Sequence, residues 1–368
     1  MNALRARRLL GGLVPAAIVA LTACSESTPF DPVLLSQNTD EIINALDNSP
    51  AMQSMDVLGE KMTVGAPGMG APSLVAATLP NVTRAARGFP AWATQRLAAL
   101  EATVPAFSVS APEAVIPTAA LGKTFTYNTT TNSYELSNRT GAPSNGVRFI
   151  LYAVNPVTHT VVTPLNEVGY VDLLDESAGA TLQLHLKAYI TASGSTPLID
   201  YTASATIQGT PTSPTGATVT ASGHVSDGTT TVEFDLSQTF STTSGINVKY
   251  TLAVPEKDVE VTFEATFTLT QQATVTLTVK HAGNTTVVAA SGTQASITGT
   301  IKHNGDLVIN ITGSATNPVF TDASGNQLTA EQIAALKKLF DFTDKLLEHV
   351  DEMLAPAHAL LGIAAFFA

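Results

Sequence analysis

The chain has 368 residues, 44% of them hydrophobic and only 13% charged, which supplies a sizeable core and excludes disorder throughout. Its formal net charge of -12 repels phosphate backbones and excludes nucleic acid as a partner class. A single cysteine excludes an intramolecular disulfide, so burial and backbone pairing must stabilise the fold unaided.

Residues 1 to 8 carry Arg5, Arg7 and Arg8 and no acid, and an apolar run with small residues follows from Leu9 to Leu21. This is the n-region and h-region order of an export signal, and the run is shorter than the ~20 apolar residues of a spanning helix. Leu21, Thr22, Ala23 and Cys24 close it. All four positions resemble the lipobox of bacterial lipoproteins. The resemblance implies that residues 1–23 are a removed signal peptide and that the Cys24 thiol receives a diacylglyceryl group, so that the mature chain meets the membrane through that anchor. Each buried acyl methylene contributes about 0.8 kcal/mol to such anchoring. Loss of the leader leaves a mature charge of -15. Ser25 stands where an aspartate would signal inner-membrane retention in enterobacterial lipoproteins, which implies the outer membrane of the cell envelope.

Residues 24–63 begin as a polar tether. Leu34, Leu35, Ile42, Ile43, Leu46, Met52, Met55 and Leu58 then recur three and four apart, which predicts one or two short amphipathic helices. Residues 64–118 are rich in Gly, Ala and Pro and read as a connecting region, with a helical stretch around Trp92.

Residues 119–320 alternate apolar and polar residues in run after run, the period of a half-buried strand. Val232, Phe234 and Leu236 share one face while Glu233 and Asp235 take the other. The same alternation runs through Val248, Tyr250, Leu252 and Val254, then Val259, Val261, Phe263, Ala265, Phe267 and Leu269. It continues in Val275, Leu277 and Val279, in Ile297 and Ile301, and in Leu307, Ile309 and Ile311. Asp227-Gly228, Gly283-Asn284 and Asn304-Gly305 tolerate positive φ and predict tight hairpins. Consecutive hairpins of this kind predict a mainly β fold, a large curved antiparallel meander sheet or open barrel of about a dozen strands. Threonine on the polar face marks that face as solvated, and the apolar face needs a cover. A transmembrane barrel fits the alternation less well, because aromatic girdle material is sparse at 6% and a helix follows the last strand.

The cover is supplied by residues 329–368. Thr329 and Gln332 form a capping box. Ile333, Leu336, Phe340, Leu347, Val350 and Leu354 mark an apolar seam, widened by Leu339, Leu346 and Met353, and Pro356 is expected to interrupt the helix. An apolar tail, residues 357–368, reads as a last buried segment. Phe234, Tyr250, Phe263, Phe267, Leu336, Phe340 and Leu347 are the expected lining of the apolar interior.

No constellation of catalytic or cofactor residues stands out. His185 lies on a polar strand face, His281 and His303 lie at hairpin ends, and no two-histidine ligand spacing occurs. Asp322, Ser324 and Asn326 begin like a calcium loop, but Gly325 is misplaced and Ile333 falls where a carboxylate must bind, so they read as a turn. Glu233, Asp235, Asp258, Glu260 and Glu264 gather on the solvent face. Paired carboxylates do acid and base work only in a cleft, so the bland reading is a solvated acidic surface. The expectation is a non-catalytic envelope lipoprotein without cofactor, structural or binding an apolar ligand inside the sheet, or partnered with another envelope protein. A surface interaction or adhesion module is the alternative, and an enzyme of unknown class the second alternative.

Overall fold

A computed structural model describes residues 43–65 and 115–361, apart from residues 45, 48, 180, 192–193, 211–212, 242, 271, 294 and 315–316. The leader, Cys24 and the lipobox, Trp92 with most of the 64–118 segment, and the tail 362–368 lie outside the described residues. Residues 43, 44, 46 and 47 are helical, α1 (Pro50–Gly65) follows them, and α2 (Ala330–Leu361) follows the sheet.

Fifteen strands form one open sheet. Its first part comprises β1 (Lys123–Asn128), β2 (Ser133–Ser137) and β3 (Gly146–Tyr152), and a small ribbon of β4 (Val154–Asn155) and β5 (Thr160–Val161) stands apart. Then come β6 (Glu167–Asp175), β7 (Thr181–Ile190), β8 (Ile199–Thr210), β9 (Ser213–Ser226), β10 (Thr231–Ser241) and β11 (Gly245–Val254). The series ends with β12 (Val259–Phe267), β13 (Ala273–His281), β14 (Asn284–Gly292), β15 (Ile297–His303), β16 (Asp306–Ser314) and β17 (Asn317–Asp322). From β6 to β17 every strand pairs antiparallel with its chain neighbour, the meander that the alternation predicts. The other end departs from a pure meander. β1 pairs antiparallel with β2 but parallel with β3, so β2 is an edge strand, and β17 is the opposite edge. With two edges the sheet is not closed into a barrel.

Two apolar residues expected on the inner face are exposed. Leu307 is 40% exposed because a bulge between Ile301 and Lys302 pairs it with Lys302, and the extra residue turns it to the polar side. Leu269 is 49% exposed because β12 ends at Phe267. The remaining inner residues form one continuous core from β1 to β16, together with both helices. Phe234, Tyr250, Phe263, Phe267 and Leu336 are buried in it, whereas Phe340 and Leu347 lie on α2 with side chains outside the described set.

The tight turn between β15 and β16 is the expected Asn304-Gly305, with φ of 50° and 92°. The turn between β13 and β14 is displaced by one residue from the expected Gly283-Asn284. Ala282 and Gly283 hold its centre at φ of 48° and 76°, and Asn284 already opens β14. An alanine in left-handed backbone is strained, and asparagine tolerates that conformation better. Replacing Ala282 by Asn is therefore expected to raise stability by about 0.5–1 kcal/mol. A urea midpoint that falls instead would contradict this account of the turn.

Ser49 precedes Pro50, and its Oγ accepts a long 3.5 Å bond from Met52 N, so α1 opens with a hydroxyl cap and a proline in its first turn. Met52, Met55, Leu58 and Met62 are buried along α1, which packs on β2, β3, β4, β6 and β7. The capping box at the start of α2 forms as expected. Thr329 N donates to Gln332 Oε1 at 2.9 Å, and Gln332 N donates to Thr329 Oγ1 at 3.3 Å. Two expectations for α2 need correction. Ile333 is 56% exposed, since the helix is buried only from Leu336 onward, and the helix continues through Pro356 to Leu361. The buried stripe includes Phe342 and His349, which the seam omitted. α2 lies chiefly on α1 and reaches the sheet at β7 and β8, so the helical cover is a pair and its place is the early strands.

Candidate functional site: the outer face and its groove

Period-two alternation turns one side of every strand outward, and registry lines those residues up across the sheet. One row contains Thr181, Thr206, Thr218, Thr239 and Asn247 on β7 to β11. It continues through Thr266, Thr274, Ser291 and Thr298 on β12 to β15. Members of the row bond to one another across strands. The hydroxyls of Thr181 and Thr206 share a 3.0 Å hydrogen bond, and Thr266 Oγ1 donates to Asn247 Oδ1 at 2.8 Å. In the neighbouring row Ser204 and Thr220 share a bond of 2.8 Å.

A third row is charged. Arg148, Asp172, Lys187, Asp200, His224 and Glu233 stand opposite one another in turn on β3 and β6 to β10. Arg148 grips Asp172 with two bonds of 2.7 Å and lies 3.8 Å over the Tyr170 ring, which stacks on Tyr189 at 4.9 Å. The Asp172 bond holds the guanidinium pKa above its ordinary value. His185 is half-buried between two carboxylates, 2.6 Å from Asp200 and 3.2 Å from Glu176. The bond from Gln183, ahead of the contact with His185, holds the Glu176 carboxyl below its usual range.

The five acids read from the sequence as one surface divide. Lys280 pairs with Glu260 at 2.6 Å and Lys249 with Glu264 at 2.9 Å, while Asp258 sits in a left-handed turn residue at φ 52°. Glu233 and Asp235 remain, and they border an open groove of about 640 Å³. One wall is the segment Thr196, Pro197 and Leu198 that leads into β8. The other side is β10 and β11, with Thr231, Thr251 and Ala253 beside the two acids. His224, Ser226 and Gly228 close the end at the β9–β10 turn. Ala253, a small residue, stands directly opposite Glu233 in the lining. Sequence reasoning had the two acids but not the cleft, whose walls come from segments distant along the chain.

The histidine reading missed His349. It is buried on α2, with Nε2 3.1 Å from Asp47 Oδ1 and Nδ1 3.2 Å from Glu352 Oε2. His303 Nδ1 shares a 3.0 Å bond with Thr286 Oγ1. The Asp322 turn is the one expected. Its Oδ1 accepts from Ser324 N and Asn326 N at 2.8 Å each, and the Asn326 bonds hold the carboxyl below its usual range. Among the described residues no group of three or more His, Cys, Asp or Glu is set to hold a metal ion, and no helix is long and apolar enough to cross a membrane.

No protein-family model, no curated protein and no solved structure matches the chain.

Proposed function

We propose that the chain is a non-catalytic lipoprotein of the bacterial envelope, tethered through acylated Cys24, whose β domain presents a broad polar surface to partners in the envelope. The observation that carries this reading is the outer face. A row of hydroxyl and amide side chains extends across nine strands and a charged row across six, and the side chains behind them are packed into a single core. Phe234, Tyr250, Phe263 and Phe267 are buried there, which favours a structural backing over an open apolar receptacle. An apolar-ligand carrier is the second reading, favoured by the length of the continuous inner face.

Anchoring is tested by labelling with radioactive palmitate and fractionation. The native chain is expected to carry label and sediment with membranes, and the Cys24→Ala chain to lose the label and become extractable without detergent. Firm membrane retention of unlabelled Cys24→Ala would overturn the tether. Native mass spectrometry of the exported Cys24→Ala chain separates the two readings. The bare polypeptide mass supports the display surface, and a stoichiometric bound lipid supports the carrier.

A further inference from the structure

On the outer face, the open groove between the segment Thr196–Leu198 and the strands β10 and β11 is large enough to seat a small molecule. Its volume of about 640 Å³ lies within the range of small-molecule sites. Its lining is of two kinds. Pro197, Leu198 and Ala253 offer apolar contact, and Thr231 and Thr251 offer hydroxyls, while the Ser226 hydroxyl is engaged by Thr230 O and Gly228 N within the turn.

Charge then selects among ligands. Glu233 and Asp235 are two residues apart on β10, so both point outward about 6.7 Å apart, and both are exposed. Among the described residues no lysine or arginine lines the groove. Lys249, which feels the Asp235 carboxylate only weakly, is engaged by Glu264 at 2.9 Å. His224 stands opposite Glu233 in the register of β9 and β10. Carboxylate and phosphate ligands meet two negative charges on a chain that is already anionic. A sugar would lack an exposed aromatic ring to stack on, since the lining residue Phe234 is buried.

We propose that this groove is a binding site for a small organic ammonium ion. The ammonium group sits between the Glu233 and Asp235 carboxylates, where charge-assisted hydrogen bonds hold it, and the apolar body lies against Pro197, Leu198 and Ala253. The hydroxyls of Thr231 and Thr251 take part in its hydration shell. This site does not depend on the Cys24 tether or on the display reading.

The test is a titration of the mature chain, followed by calorimetry and by NMR shifts, with three probes of matched shape: 2-phenylethylammonium, 3-phenylpropionate and 2-phenylethanol. The expected order is ammonium first, alcohol much weaker, carboxylate undetectable, with ammonium binding weakened by added salt. The double substitution Glu233→Gln with Asp235→Asn is expected to weaken ammonium binding by about tenfold. Ala253→Trp, which fills the groove and leaves both acids in place, is expected to abolish it. Circular dichroism of both variants reports that the sheet is retained. Equal binding of carboxylate and ammonium, an unchanged affinity in the double variant, or no binding of the ammonium probe would each overturn the assignment.

Discussion

Replacing Gly59 by Ala is expected to destabilise the protein by about 1–3 kcal/mol, although in a helix interior the same change ordinarily stabilises by about 1 kcal/mol. Gly59 is buried on α1, where α2 crosses it at Ala355. A Cβ built on Gly59 would lie 2.8 Å from the Ala355 carbonyl carbon and 3.1 Å from its Cα, and closer still to its Cβ. Backbone atoms cannot rotate away, so the helices must separate, and Met55, Leu58, Met353 and Leu354 around the crossing lose packing. Ala355→Gly in the Gly59→Ala background relieves the Cβ contact but not the backbone contact, so it should restore only part of the loss. Urea unfolding of the four chains of this cycle measures both effects. A Gly59→Ala chain more stable than the parent would refute the close approach.

The second large effect is expected at Tyr201. Its ring is buried on the inner face of β8, edge-on to Phe234 at 5.8 Å, and its hydroxyl donates to Met353 O on α2 at 3.0 Å. Burial pushes the phenol pKa up, so it remains a donor at neutral pH. Pro356 supplies no N–H to the carbonyl one turn before it, and the neighbouring carbonyl is the one that Tyr201 engages. Tyr201→Phe is expected to cost about 1–2 kcal/mol by leaving that hydrogen bond unmade, and Tyr201→Ala about 3–5 kcal/mol by adding a cavity where α2 meets the sheet. Thermal unfolding distinguishes the two. If Tyr201→Phe were neutral, the bond would contribute nothing to holding α2 on the sheet.

Both predictions concern contacts that no local pattern announces, and the same division runs through the fold. The strands from Val232 to Ile311 were legible because a two-residue period needs no partner to be seen, and their inner residues are buried as that period requires. The capping box at Thr329 and the turn at Asn304-Gly305 were legible for a similar reason, since each satisfies its own backbone within four residues. The exposure of Leu307 was not legible. It depends on a bulge set by how β16 meets β15, and alternation alone carries no register. The parallel pairing of β1 with β3 was hidden in the same way, because a strand's composition does not reveal which neighbour it chooses. Of the site, Glu233 and Asp235 could be read as outward acids. The walls of their groove could not, because Pro197 and Leu198 reach it from the entry to β8.

By itself the amino-acid sequence determined a mainly β chain with a polar threonine-rich face and an amphipathic C-terminal helix. These follow from side-chain period and turn chemistry, which act over a few residues. The tertiary structure decided how two helices share one crossing at Gly59, which face of α2 is buried and why Ile333 is not, and where the acidic surface becomes a groove. Each of these is a relation between surfaces that meet only after long loops have closed, so the shape of one segment sets the burial and charge environment of another far away in the chain.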